Sequence, residues 1–385
     1  MQDERKIRLS HTRILFGGMA LIMVVLLLRN AEATMEHVHR GMLICARTMI
    51  PSLFPFMVVS ELIVKSGAGE LMARWPARFL GPMLKLSQQG VCALLLGWLC
   101  GFPVGSRAAA EYYRAGTIDA REFSTVVCCC NVPSSAFLVS AVGVSLFGNA
   151  ALGRWLLLLA IVSSLTVGLL LRWLLPKGQG RPISSGSSQA ALLPTSQLLP
   201  NAVSAAAGSM LNVCATVLLF AALVGTLTGS LDALALSPTG RTAIYGLLEL
   251  STGVCAASTL SSPVTAAVLC AVMVGWAGLS VHCQILSVCG GCPLSMGLFW
   301  GCRAGQALCC GAGMIGLIYA GWVRPQAPPE PAVFRDVMVG HSVVWQTGSF
   351  AHVFSLVCGA LFLAALVFRA VWRVYGKKRG GGYRT

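Results

Sequence analysis

Charge is what this sequence has least of. Only 11% of its 385 residues are Asp, Glu, Lys or Arg, where soluble globular chains carry about 25%. Acids are the scarcer sign, 13 against 28 Lys and Arg. So few polar groups cannot keep an apolar chain in water, which excludes a soluble enzyme, a nucleic-acid-binding module and a disordered segment. Signature motifs are missing too. No Walker loop, no His-Glu-x-x-His and no Gly-x-Ser-x-Gly occurs, so the sequence gives no sign of an enzyme or of ATP-driven transport.

What is present is apolar residues at 56% and 42 glycines, the composition of an all-α, polytopic integral membrane protein. The net charge of +15 fits that reading. The basic residues gather at the two ends and in short connections, where the positive-inside rule puts them, so no nucleic-acid partner is implied. Arg5, Lys6, Arg8 and Arg13 precede the apolar run Ile14–Leu28. Ala31-Glu32-Ala33 then has the form of a cleavage site, but with so many later spans residues 1–30 read as a retained signal anchor. At the other end a span at Phe350–Val367 is followed by Arg369, Arg373, Lys377, Lys378, Arg379 and Arg384. Both termini are expected in the cytoplasm. The 16 cysteines sit mostly in apolar runs, for example Cys128-Cys129-Cys130, and behave there as small hydrophobes. Cys283, Cys289, Cys292 and Cys302 contain one Cys-x-x-Cys but no second pair at zinc spacing, so neither a metal nor another cofactor is predicted.

The apolar segments are uneven. Leu152–Leu175, Val203–Leu227 and Met296–Val323 are long, whereas Ile50–Val64, Val91–Gly105 and Ala136–Phe147 are short and interrupted by Gly or Pro. Crossing the hydrocarbon takes about 20 residues, so the short pieces are predicted to be half-helices or re-entrant hairpins. Leu71–Leu86 is amphipathic and is expected along the interface. A Gly-, Ser- and Pro-rich linker at 176–195 divides a first repeat, 31–175, from a second, 196–323. An external loop at 324–349 and a C-terminal helix and basic tail at 350–385 complete the chain. Two loose internal matches support the division: 48–59 against 209–220, and Leu96–Ser106 against Val274–His282. Interrupted segments in both halves are the mark of an inverted-repeat transporter with its site near the midplane.

An interruption within lipid leaves backbone donors and acceptors that protein, water or substrate must satisfy. At Gly101-Phe102-Pro103-Val104-Gly105-Ser106-Arg107 the glycines permit a turn, Pro103 stops the helix, and the arm after it presents a positive dipole end to an anion. Arg107 adds a planar fork for a carboxylate, its bland alternative being a snorkelling interfacial arginine. Asn131, Ser134 and Ser135 flank Pro133, and supply neutral donors and acceptors or merely recapture freed carbonyls. Ser280, His282 and Gln284 follow Gly278, with Arg303 as the cation of the second half. The intramembrane acids Glu61 and Glu249 are candidates for proton or sodium coupling, or else counter-ions for the two arginines.

Taken as an ordered set, several motifs resemble the stage V sporulation integral membrane protein family. They are Pro51-Ser52-Leu53-Phe54-Pro55-Phe56, the 101–106 break with its Gly116-Thr117-Ile118 turn and Glu122, the 130–135 kink, 142–148 and 278–284. That family carries a nucleoside-recognition, or Gate, domain and is similar in architecture to concentrative nucleoside transporters. The resemblance implies two inverted repeats with re-entrant hairpins and movement of dipicolinic acid across the outer forespore membrane. A small aromatic dianion also suits the residues named above, and the partners expected are that anion, the lipid bilayer and a second copy of the chain. The triple cysteine before Asn131 departs from the family pattern, as does Gly278-Leu279 where the first half has Gly101-Phe102-Pro103. A nucleoside or metal-ion transporter of the same fold, or a non-transporting scaffold for spore assembly, are the alternatives.

Overall fold

The computed structural model describes residues 11–174 and 195–326. The inter-repeat linker, nearly all of the proposed external loop and the C-terminal span lie outside those residues. Among the described residues every regular element is helical. Three helices are long and apolar enough to cross a bilayer, or up to five if each sharply bent pair counts as one span. The chain is a polytopic, all-α membrane protein.

Helix α1 (His11–Arg29) turns by 98° at Asn30 into α2 (Ala31–Ile44). A π-helical turn, Cys45–Met49, carries α2 into α3 (Ile50–Lys65). This composite rod packs antiparallel on α10 (Thr195–Ala233). Gly225 lies against Thr34 and Gly41 against Ala221, each with no room for a Cβ to sit freely. The loose match between 48–59 and 209–220 therefore falls on neighbouring long helices. The predicted interfacial stretch forms two short helices, α4 (Ala68–Ala73) and α5 (Ala77–Leu84), the latter bent 102° from the helix that follows.

That helix, α6 (Gln88–Cys100), and α7 (Val104–Arg114) fold back on each other as a first hairpin. Next come α8 (Ala120–Cys129), a π-helix (Ala136–Leu146) and α9 (Ala150–Leu174). The second half supplies a matching hairpin, α11 (Pro238–Leu248) and α12 (Leu250–Ala257). It also has an interrupted span, α13 (Pro263–Trp276) with α14 (Gly278–Val288), and ends in α15 (Met296–Tyr319). Several helices carry ordinary side-chain caps. Ser87, Asp119, Ser237, Ser262 and Ser295 each accept from a backbone N–H of the first turn of α6, α8, α11, α13 and α15. No side chain caps α7 or α14, which start inside the apolar layer.

The two hairpins enter from opposite faces. Arg114, at the end of α7, donates to the carbonyls of Val288 (3.0 Å) and Gly290 (2.9 Å), so the open end of the first hairpin lies where α14 finishes. Only the connection 258–262 separates α12 from α13, and residues 263–288 run on as one apolar 26-residue span. The open end of the second hairpin is thus a membrane thickness away. This geometry changes one correspondence drawn from the sequence. Leu96–Ser106 is a hairpin tip and Val274–His282 an interruption in a through-running span, so they are not equivalent positions. By element order the tip at 101–103 corresponds to Glu249, and the break at 130–135 to Ala277–Gly278, because a fold-back and an in-line break share the same Gly-rich signal.

Candidate functional site

In each half a hairpin tip touches the interruption of the neighbouring span. Gly101 has φ 86° and ψ 178°, a region that side chains avoid, and a Cβ there would lie 2.7 Å from the Ser134 nitrogen. Phe102 N–H donates to the Val132 carbonyl at 3.2 Å across the same contact. In the second half Ala277 and Gly278 both take positive φ, 71° and 78°, and a Cβ on Gly278 would lie 2.9 Å from the Leu250 nitrogen. Four chain interruptions therefore meet as two pairs, and the elements carrying them pack together.

Arg303 on α15 joins the two halves. Its side chain is buried, with the residue 1% exposed, and no carboxylate pairs with it among the described residues. Nη1 donates to the Asn131 carbonyl at 2.8 Å and to Gln306 Oε1, and Nε donates to the Trp276 carbonyl at 3.3 Å. Gln306 in turn donates to the Cys128 carbonyl at 2.9 Å. These carbonyls belong to the C-terminal ends of α8 and α13, where the peptide dipoles present negative charge. Two broken helix ends thus do for this guanidinium what a carboxylate would otherwise do.

The network extends through residues singled out from the sequence. Ser106 Oγ donates to Asn131 Oδ1 at 2.8 Å, and Asn131 Nδ2 donates to the Val127 carbonyl at 2.5 Å. His282 Nε2 is 2.8 Å from the Trp276 carbonyl that Arg303 also uses, and its ring stands edge-on to Trp276 and Phe299. Ser106, Asn131, His282 and Arg303 are brought together by folding. Ser134 instead accepts from Phe137 N–H at 3.3 Å and starts the π-helix, with half-buried Ser135 beside it. Gly105 is a packing residue, since a Cβ there would lie 2.6 Å from Gly97 Cα. Sequence reasoning missed Gln306 as a site residue, although its place three residues after Arg303 on one helix face was a usable signal.

Arg303 Nη2 and His282 Nδ1 have no partner here, and Ser280 Oγ and Gln284 Oε1, on the side of α14 away from His282, have none either. Native interiors leave few such atoms unsatisfied unless water or a ligand completes them. Ser280 and Gln284 are one turn apart on α14 and so share a face.

Arg107 goes elsewhere. It neighbours Ser106 in sequence but turns away from Asn131 toward α3 and α10, where Nε pairs with Glu61 and Nη1 donates to Ser209. Glu111 Oε1 lies 3.5 Å from Arg107 Nε, and Lys65 Nζ lies 3.1 Å from Glu61 Oε2. The four charges sum to zero. Glu61, Arg107 and Glu111 line a cleft with Ser60, Pro103 and Ser209 that has room for about one water. The two arginines expected at one site therefore occupy two, and Glu61 serves as the counter-ion of Arg107. Because Glu61 is only 4% exposed, removing Arg107 strands a buried carboxylate. Arg107→Ala should cost about 3 kcal/mol, softened by Lys65, and adding Glu61→Gln should recover more than half. Thermal melts of the two single variants and the double variant, purified in detergent, check the cycle; additive losses would remove the pair from the account.

Glu249 is the break itself. Its backbone is extended (φ −144°, ψ 123°), and its carboxylate accepts from Ser251 N–H at 3.0 Å, Thr252 N–H at 2.6 Å and the Thr252 hydroxyl at 2.8 Å. The side chain occupies the start of α12 as an internal anion. Among the described residues no three potential metal-ligating side chains come together.

The fold and this buried network define a polytopic helical membrane protein with two opposed hairpins packed on two interrupted spans. Over 159 residues the chain is 26% identical to the sporulation integral membrane protein YlbJ of Bacillus subtilis, covering 41% of this chain and 39% of that protein. The match thus spans about two fifths of the relative's length. No protein-family model and no solved structure matches the chain.

Proposed function

We propose that this chain is a secondary transporter for a small carboxylate, dipicolinate foremost, acting in the outer forespore membrane of a sporulating cell. The observation that carries the reading is Arg303: a buried guanidinium with no acidic partner among the described residues and a free Nη2, placed where the interrupted helices of both halves meet. A cation held only by neutral carbonyls and helix-end dipoles keeps its net charge inside an apolar layer, and that favours an anion. His282 Nδ1 offers a further polar contact, and the uncapped starts of α7 and α14 add positive dipole ends. The likeness to a sporulation membrane protein supports the cellular setting, and the opposed hairpins support inverted Gate-type repeats. Arg114 sits at the open end of the first hairpin, Arg74, Arg78 and Lys85 precede its first helix, and Arg172 reaches the carbonyls of Pro82 and Met83, so the positive-inside rule supports a cytoplasmic orientation for that face.

Uptake of labelled dipicolinate into vesicles holding the full chain tests the substrate. His282→Ala should cut uptake about tenfold, the worth of one lost hydrogen bond to a charged group. A pyridine monocarboxylate should compete weakly and uridine not at all. Competition by uridine with indifference to both carboxylates would replace the anion with a nucleoside.

A further inference from the structure

The elbow formed by α4 and α5 has two sides of opposite character. Its inner side holds Ala73, Leu80, Met83 and Leu84, all buried in the core. Its outer side exposes Leu71 at 74%, Trp75 at 52% and Phe79 at 42%. They run from α4 through the turn at 74–76 into α5, and the Trp75 and Phe79 rings meet edge to face at 5.3 Å. Arg74 and Arg78 each precede one of these aromatic residues in sequence. Both are exposed and neither takes part in an ion pair among the described residues.

Orientation decides what such a surface meets. The bend of 102° between α5 and α6 lays the elbow across the end of a membrane-embedded helix, along the plane of the interface. Arg172, at the end of α9, holds it there by donating to the carbonyls of Pro82 (3.1 Å) and Met83 (3.0 Å). Trp173 beside it is 82% exposed. Aromatic rings prefer headgroup depth, and cations beside them meet lipid phosphates. The leaflet on a cation-rich face is the one where anionic lipids exert their pull.

We propose that Arg74 and Arg78 bind the headgroup of an anionic phospholipid, while Leu71, Trp75 and Phe79 seat the elbow among its acyl chains. The site is separate from the transported substrate and stands or falls independently of the transport reading. An isolated phosphate would find only the two arginines here; the adjoining apolar residues are what fit a lipid.

The test uses the full chain purified in mild detergent and titrated with fluorescent phosphatidylglycerol or phosphatidylcholine. The wild type should prefer phosphatidylglycerol. Arg74→Gln with Arg78→Gln should weaken phosphatidylglycerol binding about thirtyfold, near fivefold per charge, and leave phosphatidylcholine unchanged. Arg74→Lys with Arg78→Lys should keep the preference, and Arg241→Gln, on the opposite face, should not alter it. Equal binding of the two lipids by the wild type, or unaltered phosphatidylglycerol binding by the double glutamine variant, would overturn the proposal.

Discussion

Replacing Arg303 with alanine should lower the melting temperature by about 5 °C and abolish uptake. The expectation follows from what the guanidinium holds. Asn131 and Trp276 present carbonyls from different halves of the chain, and Gln306 is oriented through the same group. Deleting the donor leaves the Asn131 carbonyl and Gln306 Oε1 buried and unsatisfied, at about 1–3 kcal/mol each, beside a cavity the size of the lost side chain, while the Trp276 carbonyl keeps His282. About 4 kcal/mol in total, at roughly 1.2 °C per kcal/mol for a chain of this length, gives the shift. Arg303→Lys keeps the charge but not the fork, so it should fall between wild type and alanine in stability. Asn131→Ala should cost less, about 1–2 kcal/mol, since the carbonyl that Arg303 uses is backbone and survives. An Arg303→Ala protein that melts with the wild type would show that the two halves are not tied through this residue.

Gly97→Ala should be nearly as damaging for a purely steric reason. The added methyl would collide with the Cys130 carbonyl and stand 2.7 Å from Cys130 Cβ, at the crossing of α6 with the end of α8. Gly105 already packs against the same glycine from α7. The obstacle is backbone, which cannot rotate aside as a side chain could, so the helices must separate at a cost of about 3 kcal/mol. Gly208→Ala supplies the contrast. It lies inside α10 with nothing within 4 Å of the new Cβ, and should stabilise by about 0.5–1 kcal/mol through helix propensity. Parallel melts of the two proteins check the pair, and a Gly97→Ala variant no less stable than Gly208→Ala would refute the close approach.

Several features of the fold were legible because their causes are local. Gly101, Pro103, Pro133 and Gly278 interrupt apolar runs, and a helix within lipid cannot pass such residues without consequence, so three of the four breaks could be placed. The fourth could not. Leu248-Glu249-Leu250 contains neither glycine nor proline, and Glu249 reads as an acid within a helix. Its signal was Ser251 and Thr252 two and three positions on, the spacing at which a cap reaches the first turn. The amphipathic character of 71–86 was visible for the same kind of reason, since a stripe of side chains is a property of neighbours in sequence.

By itself, then, the sequence determined membrane residence, helical class, most interruption points and the residues able to bear chemistry, since hydropathy, backbone freedom and side-chain charge are properties of short stretches. Only the tertiary structure decided how these combine. It sent Ser106 to Asn131 and its neighbour Arg107 to Glu61, because adjacent residues on a helix point about 100° apart and the surrounding helices differ on each side. It set Arg303 against the ends of α8 and α13, contacts that join residues 172 and 27 positions apart. No local pattern encodes such a meeting. It exists because the hairpins enter from opposite faces and bring two broken helices side by side around one buried charge.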